Sequence, residues 1–319
     1  MSEIGLVLGG GGITGAAYHF GALLALRMAT GWEPNEASVI VGTSSGAFVG
    51  AMVRGGALGI GSMIGEGESR EAVARWLQER MYPRARPGGV GRWLTKGILP
   101  ALRRPNINIV LGSPGMYRTD GLEGWVEERL GDLSRGWPER PTVIVAYDLE
   151  RRARTAFGTD AAPDVPLKRA VAASSAVPVV YEPVEIDGRW YVDGGVASGT
   201  NADLVLGSPR PLDLVIVIAP LAATDPRRGH RFYEDMFDRM GRSALASEIE
   251  RIETQWPAAD VLILRPDERV LQVARPNPMS TGAAVPSFLA TLRTMRDDLA
   301  EPTTWRILRR HLDTDRANA

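Results

Sequence analysis

Several short runs in this sequence are apolar at nearly every position: residues 4–8, 38–41, 142–147, 213–218 and 261–264. Strands buried on both faces read this way, whereas a half-exposed strand alternates. The first two runs each pass through a glycine-rich turn into a segment with helically spaced apolar residues, 16–29 and 47–53. Two strand–loop–helix units at the start of the chain predict an α/β fold, a mostly parallel central sheet with helices on both faces. Further helices are expected over 167–173, 234–256 and much of 287–312. The short strands 183–186 and 189–192 flank Asp187-Gly188, a two-residue hairpin signal. From Gly55 to Gly121 the pattern lapses into dense Gly and Pro. We read about 55–120 as an insertion or cap on the sheet, within one domain spanning 1–319 whose C-terminal part, about 286–312, is helical.

Composition narrows the classes. A chain of 319 residues is long enough to bury a sizeable core. Zero Cys removes disulfides, thiolate metal sites and cysteine nucleophiles. Lys and Arg total 37 against 38 Asp and Glu, so there is no general attraction to nucleic acid and no such partner is expected. Residues 4–26 carry no charge, which is long enough to suggest a membrane span, but Gly9–Gly12 interrupt the run and Met-Ser-Glu is no export leader. A buried strand, a loop and a buried helix are expected there instead, in a soluble, cytoplasmic protein.

Gly42-Thr43-Ser44-Ser45-Gly46 fits G-x-S-x-G, the nucleophile elbow, in which a serine on a sharp strand-to-helix turn stands clear of the sheet. A chain this rich in Gly yields roughly 0.2 such strings by chance, so the string is weak and its context carries it. The competing reading is a glycine-rich turn in which Ser44 only caps a helix. The loop Gly9-Gly10-Gly11-Gly12-Ile13-Thr14-Gly15 also reads two ways. Gly10, Gly12 and Gly15 match G-x-G-x-x-G, but a dinucleotide site wants an acid about 20 residues on, at the end of the second strand, and that strand runs into Gly42-Thr43-Ser44. The other reading is an oxyanion hole of consecutive backbone amides at a helix N-terminus.

A serine nucleophile needs a base. The three histidines, His19, His230 and His311, fall on the first helix, in a polar segment and in a basic terminal helix, and none is well placed. An α/β-hydrolase would put several strands before its serine, and here only one precedes the Ser44 strand. A carboxylate remains. Asp193-Gly194-Gly195 follows strand 189–192, and two glycines after an Asp let a loop close against another backbone; an ordinary turn Asp fits the tripeptide equally well.

Together the glycine loop, Gly42–Gly46, Ala173-Ser174-Ser175-Ala176-Val177-Pro178 and Asp193-Gly194-Gly195 occur in the order seen in patatin-like phospholipases. The stretch from Glu182 to Gly195 resembles that family closely. The resemblance covers about 4–54 and 142–220 and implies a three-layer α/β/α fold. It further implies a lipid acyl hydrolase with a Ser–Asp dyad, in which Ser44 matches the nucleophile, Asp193 the aspartate, and Gly10, Gly11 and Gly12 the oxyanion loop. Gly15, Gly42, Gly46, Gly194 and Gly195 support the motifs. No metal and no cofactor are implied. One departure stands out: Thr14 occupies a position that is commonly Arg or Lys in the family.

The expected partner is a lipid or other acyl-ester substrate. Acyl transfer to an alcohol, and a non-catalytic lipid-binding module, remain open alternatives. Arg80, Arg84, Arg86, Arg92, Lys96, Arg103, Arg104 and Arg118, interleaved with Trp93, Leu94, Ile98, Leu99 and Leu102, suggest peripheral contact with an anionic membrane; a solvated cap with paired arginines is the alternative.

Overall fold

In the computed structural model, which describes residues 2–59, 61, 69–83, 115–223, 232–275 and 277–312, the uncharged run at the start resolves into a strand, a glycine turn and a helix: β1 (Ile4–Leu8) and α1 (Gly12–Thr30). β2 (Val39–Thr43) then passes into α2 (Ser45–Arg54) through Ser44 alone. Next come α3 (Arg70–Met81), α4 (Asp120–Leu130), β3 (Thr142–Asp148), β4 (Ala153–Phe157), α5 (Leu167–Ser174), β5 (Val184–Ile186) and β6 (Arg189–Asp193). The chain continues with β7 (Leu214–Ile218), α6 (Phe232–Gln255), β8 (Asp260–Leu264), α7 (Glu268–Val273), α8 (Ala284–Ala300) and α9 (Pro302–His311).

The strands bond in the order β5-β6-β3-β2-β1-β7-β8, with β4 also on β3. β3, β2, β1, β7 and β8 are mutually parallel, and β4, β5 and β6 join antiparallel. This is the mostly parallel sheet between helical layers that the apolar runs predict. The hairpin at Asp187-Gly188 is also present, with φ of 49° and 75°. Sequence periodicity did not anticipate β4, whose residues are mostly half-exposed, or the helices α3 and α4. The C-terminal helical part is two helices, because Pro302 lacks an N–H and starts α9 afresh.

Side chains alternate across a strand, so each apolar run feeds two cores. Leu6, Leu8, Ile40, Ile144, Ile216 and Ile218 enter the larger one, with α1, α2 and α8. Val7, Val41, Val143, Val145, Val215 and Val217 face a smaller one closed by Leu245, Ile249 and Ile252 of α6. α2 is buried along its whole length. Its last residue, Arg54, donates to Thr142 Oγ1 (3.0 Å) and to the carbonyls of Asn35 (2.8 Å), Ala37 (2.9 Å) and Pro141 (2.9 Å), which fixes the end of the helix that Ser44 begins. Burial pulls the Arg54 pKa down to about 10.

Within the insertion, Arg80 pairs with Glu128 (2.7 Å) and lies over Trp76, and Arg118 pairs with Asp120 (2.9 Å). Arg84, Arg86, Arg92, Lys96, Arg103 and Arg104, with Trp93, Leu94, Ile98, Leu99 and Leu102, lie outside the described residues.

Candidate active site

The registers of β3 bring two strand ends together. β4 lies along β3 from Ile144 to Asp148, so β2 and β6 must share its other edge. β2 runs up that edge to Thr43, opposite Val145, and β6 runs down it to Asp193, opposite Ala146. The strands meet head to head, and the residues at the junction are Ser44 and Asp193. Gly194 turns the chain away at once; a Cβ there would strike the Val145 carbonyl.

Ser44 has φ 56° and ψ −122°, a left-handed backbone that a non-glycine residue adopts only under constraint. The constraint comes from the Ser174–Ala176 segment. Ser174 Oγ accepts the Ser44 N–H (2.9 Å), Ser175 Oγ donates to the Ser44 carbonyl (3.3 Å), and the Ala176 carbonyl accepts the Asp193 N–H (3.0 Å). One segment thus braces both residues. Gly46 is needed because α2 starts hard against β1, and a Cβ there would run into the Leu8 carbonyl. A Cβ on Gly42 would lie 2.7 Å from Ala47 Cα. Ser44 makes no side-chain capping bond to α2, so the helix-cap reading of G-x-S-x-G has no support in the geometry.

The Ser44 hydroxyl instead lies near the Asp193 carboxyl, close enough to pull its pKa down. Asp193 Oδ1 accepts the Gly195 N–H (2.7 Å), which also satisfies the turn. Burial pushes the Asp193 pKa up to about 6, against the pull of Ser44 and the Gly195 amide.

The glycine loop lies beside the serine, with Gly10 so close that a Cβ would sit 3.4 Å from Ser44 Cβ. Its amides are not equivalent. Gly10 N–H donates to the Gly199 carbonyl (2.7 Å) and is occupied, which corrects its place among the expected oxyanion donors. Gly11 and Gly12, at the N-terminus of α1, have no backbone partner for their N–H groups among the described residues. Thr14 is buried, and its N–H donates to the Pro278 carbonyl (3.0 Å). Gly15, one turn into α1, faces Ser45 Oγ, which a Cβ would approach to 3.1 Å.

The patatin-like phospholipase family model matches residues 6–206, which span the glycine loop, the serine turn, the bracing segment and the aspartate turn. The chain belongs to the patatin-like phospholipase family. An uncharacterized NTE family protein from Mycobacterium tuberculosis is 28% identical over 212 residues, 64% of this chain and 48% of that protein. The chain therefore spans about half the length of the curated relatives it matches most fully. "Probable lipid hydrolase 463L" of Invertebrate iridescent virus 6 is 20% identical over 97 residues, 29% of this chain and 33% of that protein. Among solved structures, VipD from Legionella pneumophila aligns over 93% of this chain and 67% of that one, at 13% identity and a TM-score of 0.36.

In this patatin-like chain Ser44 opens onto a cleft whose walls are almost wholly apolar, among them Phe20, Phe48, Leu77, Trp125, Tyr181 and Met279. Neither described histidine lines this cleft. His19 is buried beneath the glycine loop, where its Nε2 pairs with the Gly9 carbonyl (2.7 Å), and burial pulls its pKa to about 4. A neutral ring therefore donates to that carbonyl and props the loop. His311 pairs with Asp260 (2.8 Å) at the start of β8, the opposite end of the sheet from Ser44. His230 lies outside the described residues. Among the described residues no group of three His, Asp or Glu is arranged to hold a metal ion, and no helix is long and apolar enough to cross a membrane. Sequence reasoning missed the bracing role of Ser174 and Ser175, although their string was visible as part of the family pattern.

Proposed function

We propose that this protein is a serine-dependent lipid acyl hydrolase of the phospholipase A or esterase type, working through Ser44 and Asp193. The observation that carries the reading is their meeting at the junction of β2 and β6, with the serine strained, uncapped and open to an apolar cleft. Family membership and the names of the NTE and lipid hydrolase relatives support lipid as the substrate class.

Asp193 takes the proton from Ser44 Oγ as that oxygen attacks the ester carbonyl. The Gly11 and Gly12 amides face the developing oxyanion; one such donor is typically worth ~10²–10³ in turnover. Collapse expels the alcohol, which recovers the proton from Asp193 and leaves an acyl-enzyme. Water, deprotonated by Asp193, then attacks the acyl carbon, and the carboxylic acid leaves as Ser44 regains its proton. A base with a pKa of about 6 stays largely ionised at neutral pH yet is stronger than an ordinary carboxylate near 3.9. The cleft residues Phe20, Phe48 and Leu77 suit an acyl chain. With Thr14 in place of a basic residue, oxyanion stabilisation falls to the amides.

A fluorophosphonate probe tests the reading. It should label the native chain and not Ser44→Ala, and Ser44→Ala and Asp193→Asn should both lose hydrolysis of phospholipid and of short-chain chromogenic esters. Undiminished turnover by folded Ser44→Ala would end the proposal. Contact with an anionic membrane is a separate part of it, read by co-sedimentation with anionic and neutral vesicles; equal binding or none refutes that part.

A further inference from the structure

Residues 198–202 reach three of the backbone segments that meet at Ser44: the glycine loop, the end of β2 and the turn after β6. The Gly199 carbonyl accepts the Gly10 N–H (2.7 Å) and so holds the glycine loop. Thr43 Oγ1 donates to the Thr200 carbonyl (3.4 Å). Asn201, wholly buried, donates from Nδ2 to Ser198 O (2.8 Å), to Thr43 Oγ1 (3.1 Å) and, at the limit of reach, to Gly194 O (3.5 Å). Backbone carbonyls only accept, so they dictate which way the Asn201 amide is turned. Thr43 immediately precedes Ser44 and Gly194 immediately follows Asp193. A single amide therefore ties together the two strand ends. Asn201 has φ 51°, a left-handed conformation that Asn tolerates better than most residues.

The loop is gripped from behind. Glu248 on α6 is buried, and its Oε2 accepts both Thr200 Oγ1 (2.6 Å) and the Ala202 N–H (2.8 Å), one on each side of Asn201. Glu248 stands beyond residue 206, where the family match ends. Neither Asn201 nor Glu248 lines the cleft.

We propose that Asn201 is a positioning residue that sets the spacing of Ser44 and Asp193, and that Glu248 anchors the loop that carries it. This rests on the reading of Ser44 and Asp193 as the reacting pair. Misplacing a reacting group by about 1 Å costs roughly 10²-fold in rate without touching substrate affinity. Asn201→Gly tolerates the left-handed backbone and removes the side chain that carries the amide. It should lower kcat about 100-fold with KM unchanged within about threefold. Glu248→Ala should lower kcat at least about tenfold, and Glu248→Gln, which retains an acceptor oxygen, should restore most of it.

The experiment measures kcat and KM on a chromogenic ester, with circular dichroism to confirm folding. Thr43→Val removes the acceptor at the other end of the Asn201 bond and leaves the bond from Asn201 to Ser198 in place. It should reproduce the kcat loss even if Asn201→Gly does not fold. Wild-type kcat in folded Thr43→Val or Asn201→Gly, or a loss confined to KM, overturns the inference. Ser44→Ala run alongside separates the two layers. If it stays active the dyad reading has failed; if it is dead while the positioning variants are fully active, only the positioning inference has failed.

Discussion

Replacing Asp193 with Asn should make the protein more stable and nearly inactive at once. Asn has the shape of the side chain it replaces, and its carbonyl oxygen can still accept the Gly195 N–H now held at 2.7 Å. What it removes is a carboxylate that burial disfavours. With a folded pKa of about 6 against an ordinary 3.8, the native chain holds the Asp193 proton more tightly than the unfolded chain does. Stability from this group is therefore greatest at low pH and declines as pH rises through 3.8 towards 6. The full loss, reached above pH 6, is about 3 kcal/mol at 1.36 kcal/mol per pKa unit. Asp193→Asn should recover about 3 kcal/mol at pH 7.5 and about half of that at pH 5. Equilibrium urea unfolding of both proteins at the two pH values measures it. Turnover of a chromogenic ester should fall in the same variant by ~10²–10⁴, the usual contribution of a general base. An Asn variant no more stable than wild type at pH 7.5, or a gap that does not shrink at pH 5, would show that Asp193 is not held ionised against its surroundings.

Three further outcomes are expected. The kcat/KM of ester hydrolysis should fall about tenfold per pH unit below a midpoint near 6 and be flat above it, because Asp193 must be ionised and His19, at about 4, adds no limb there; a midpoint near 4 contradicts this. Ser44→Gly and Ser44→Ala should both be inactive, but Gly accepts φ 56° without strain, so it should be the more stable of the two by about 1 kcal/mol in urea unfolding; equal stabilities mean the elbow stores no strain. Leu77→Trp, in the wall of the cleft, should cut hydrolysis of long-chain esters by tenfold or more relative to short-chain ones; an unchanged ratio removes the acyl chain from that cleft.

The parts of the fold written most plainly are those whose residues obey one local rule. Val215, Ile216, Val217 and Ile218 are apolar because both faces of β7 are covered, and no distant partner is needed to read them. Asp187-Gly188 announces its turn because both positions require positive φ. The glycines of the site were legible for a similar reason, since backbone packing at Gly46 and Gly194 excludes any side chain. What stayed hidden depends on long-range partners. β4 carries partly exposed residues and gains its identity from pairing with β3. Gly10 looked equivalent to Gly11 until Gly199, far along the chain, was found on its amide. Asn201 and Glu248 belong to no local pattern at all; only the folded chain places them 2.6–3.5 Å from the groups they hold.

In the dyad we propose, two side chains would act without a histidine between them, and the topology gives a reason. In a triad an imidazole spans the gap between a carboxylate and a serine that the fold leaves apart. Here the sheet removes the gap, since β2 and β6 run towards each other along one edge of β3 and stop at adjacent registers, Val145 and Ala146. A carboxylate acting on the hydroxyl without an intermediary is a weak base unless its pKa rises, and burial at the strand junction raises it. The topology that brings the proposed pair together thus also raises the Asp193 pKa. It leaves little tolerance for drift, because both residues ride on backbone rather than on long side chains that swing to compensate. That is why hydrogen bonds with Ser174, Ser175, Ala176 and Asn201 converge on the residues at and beside the two strand ends.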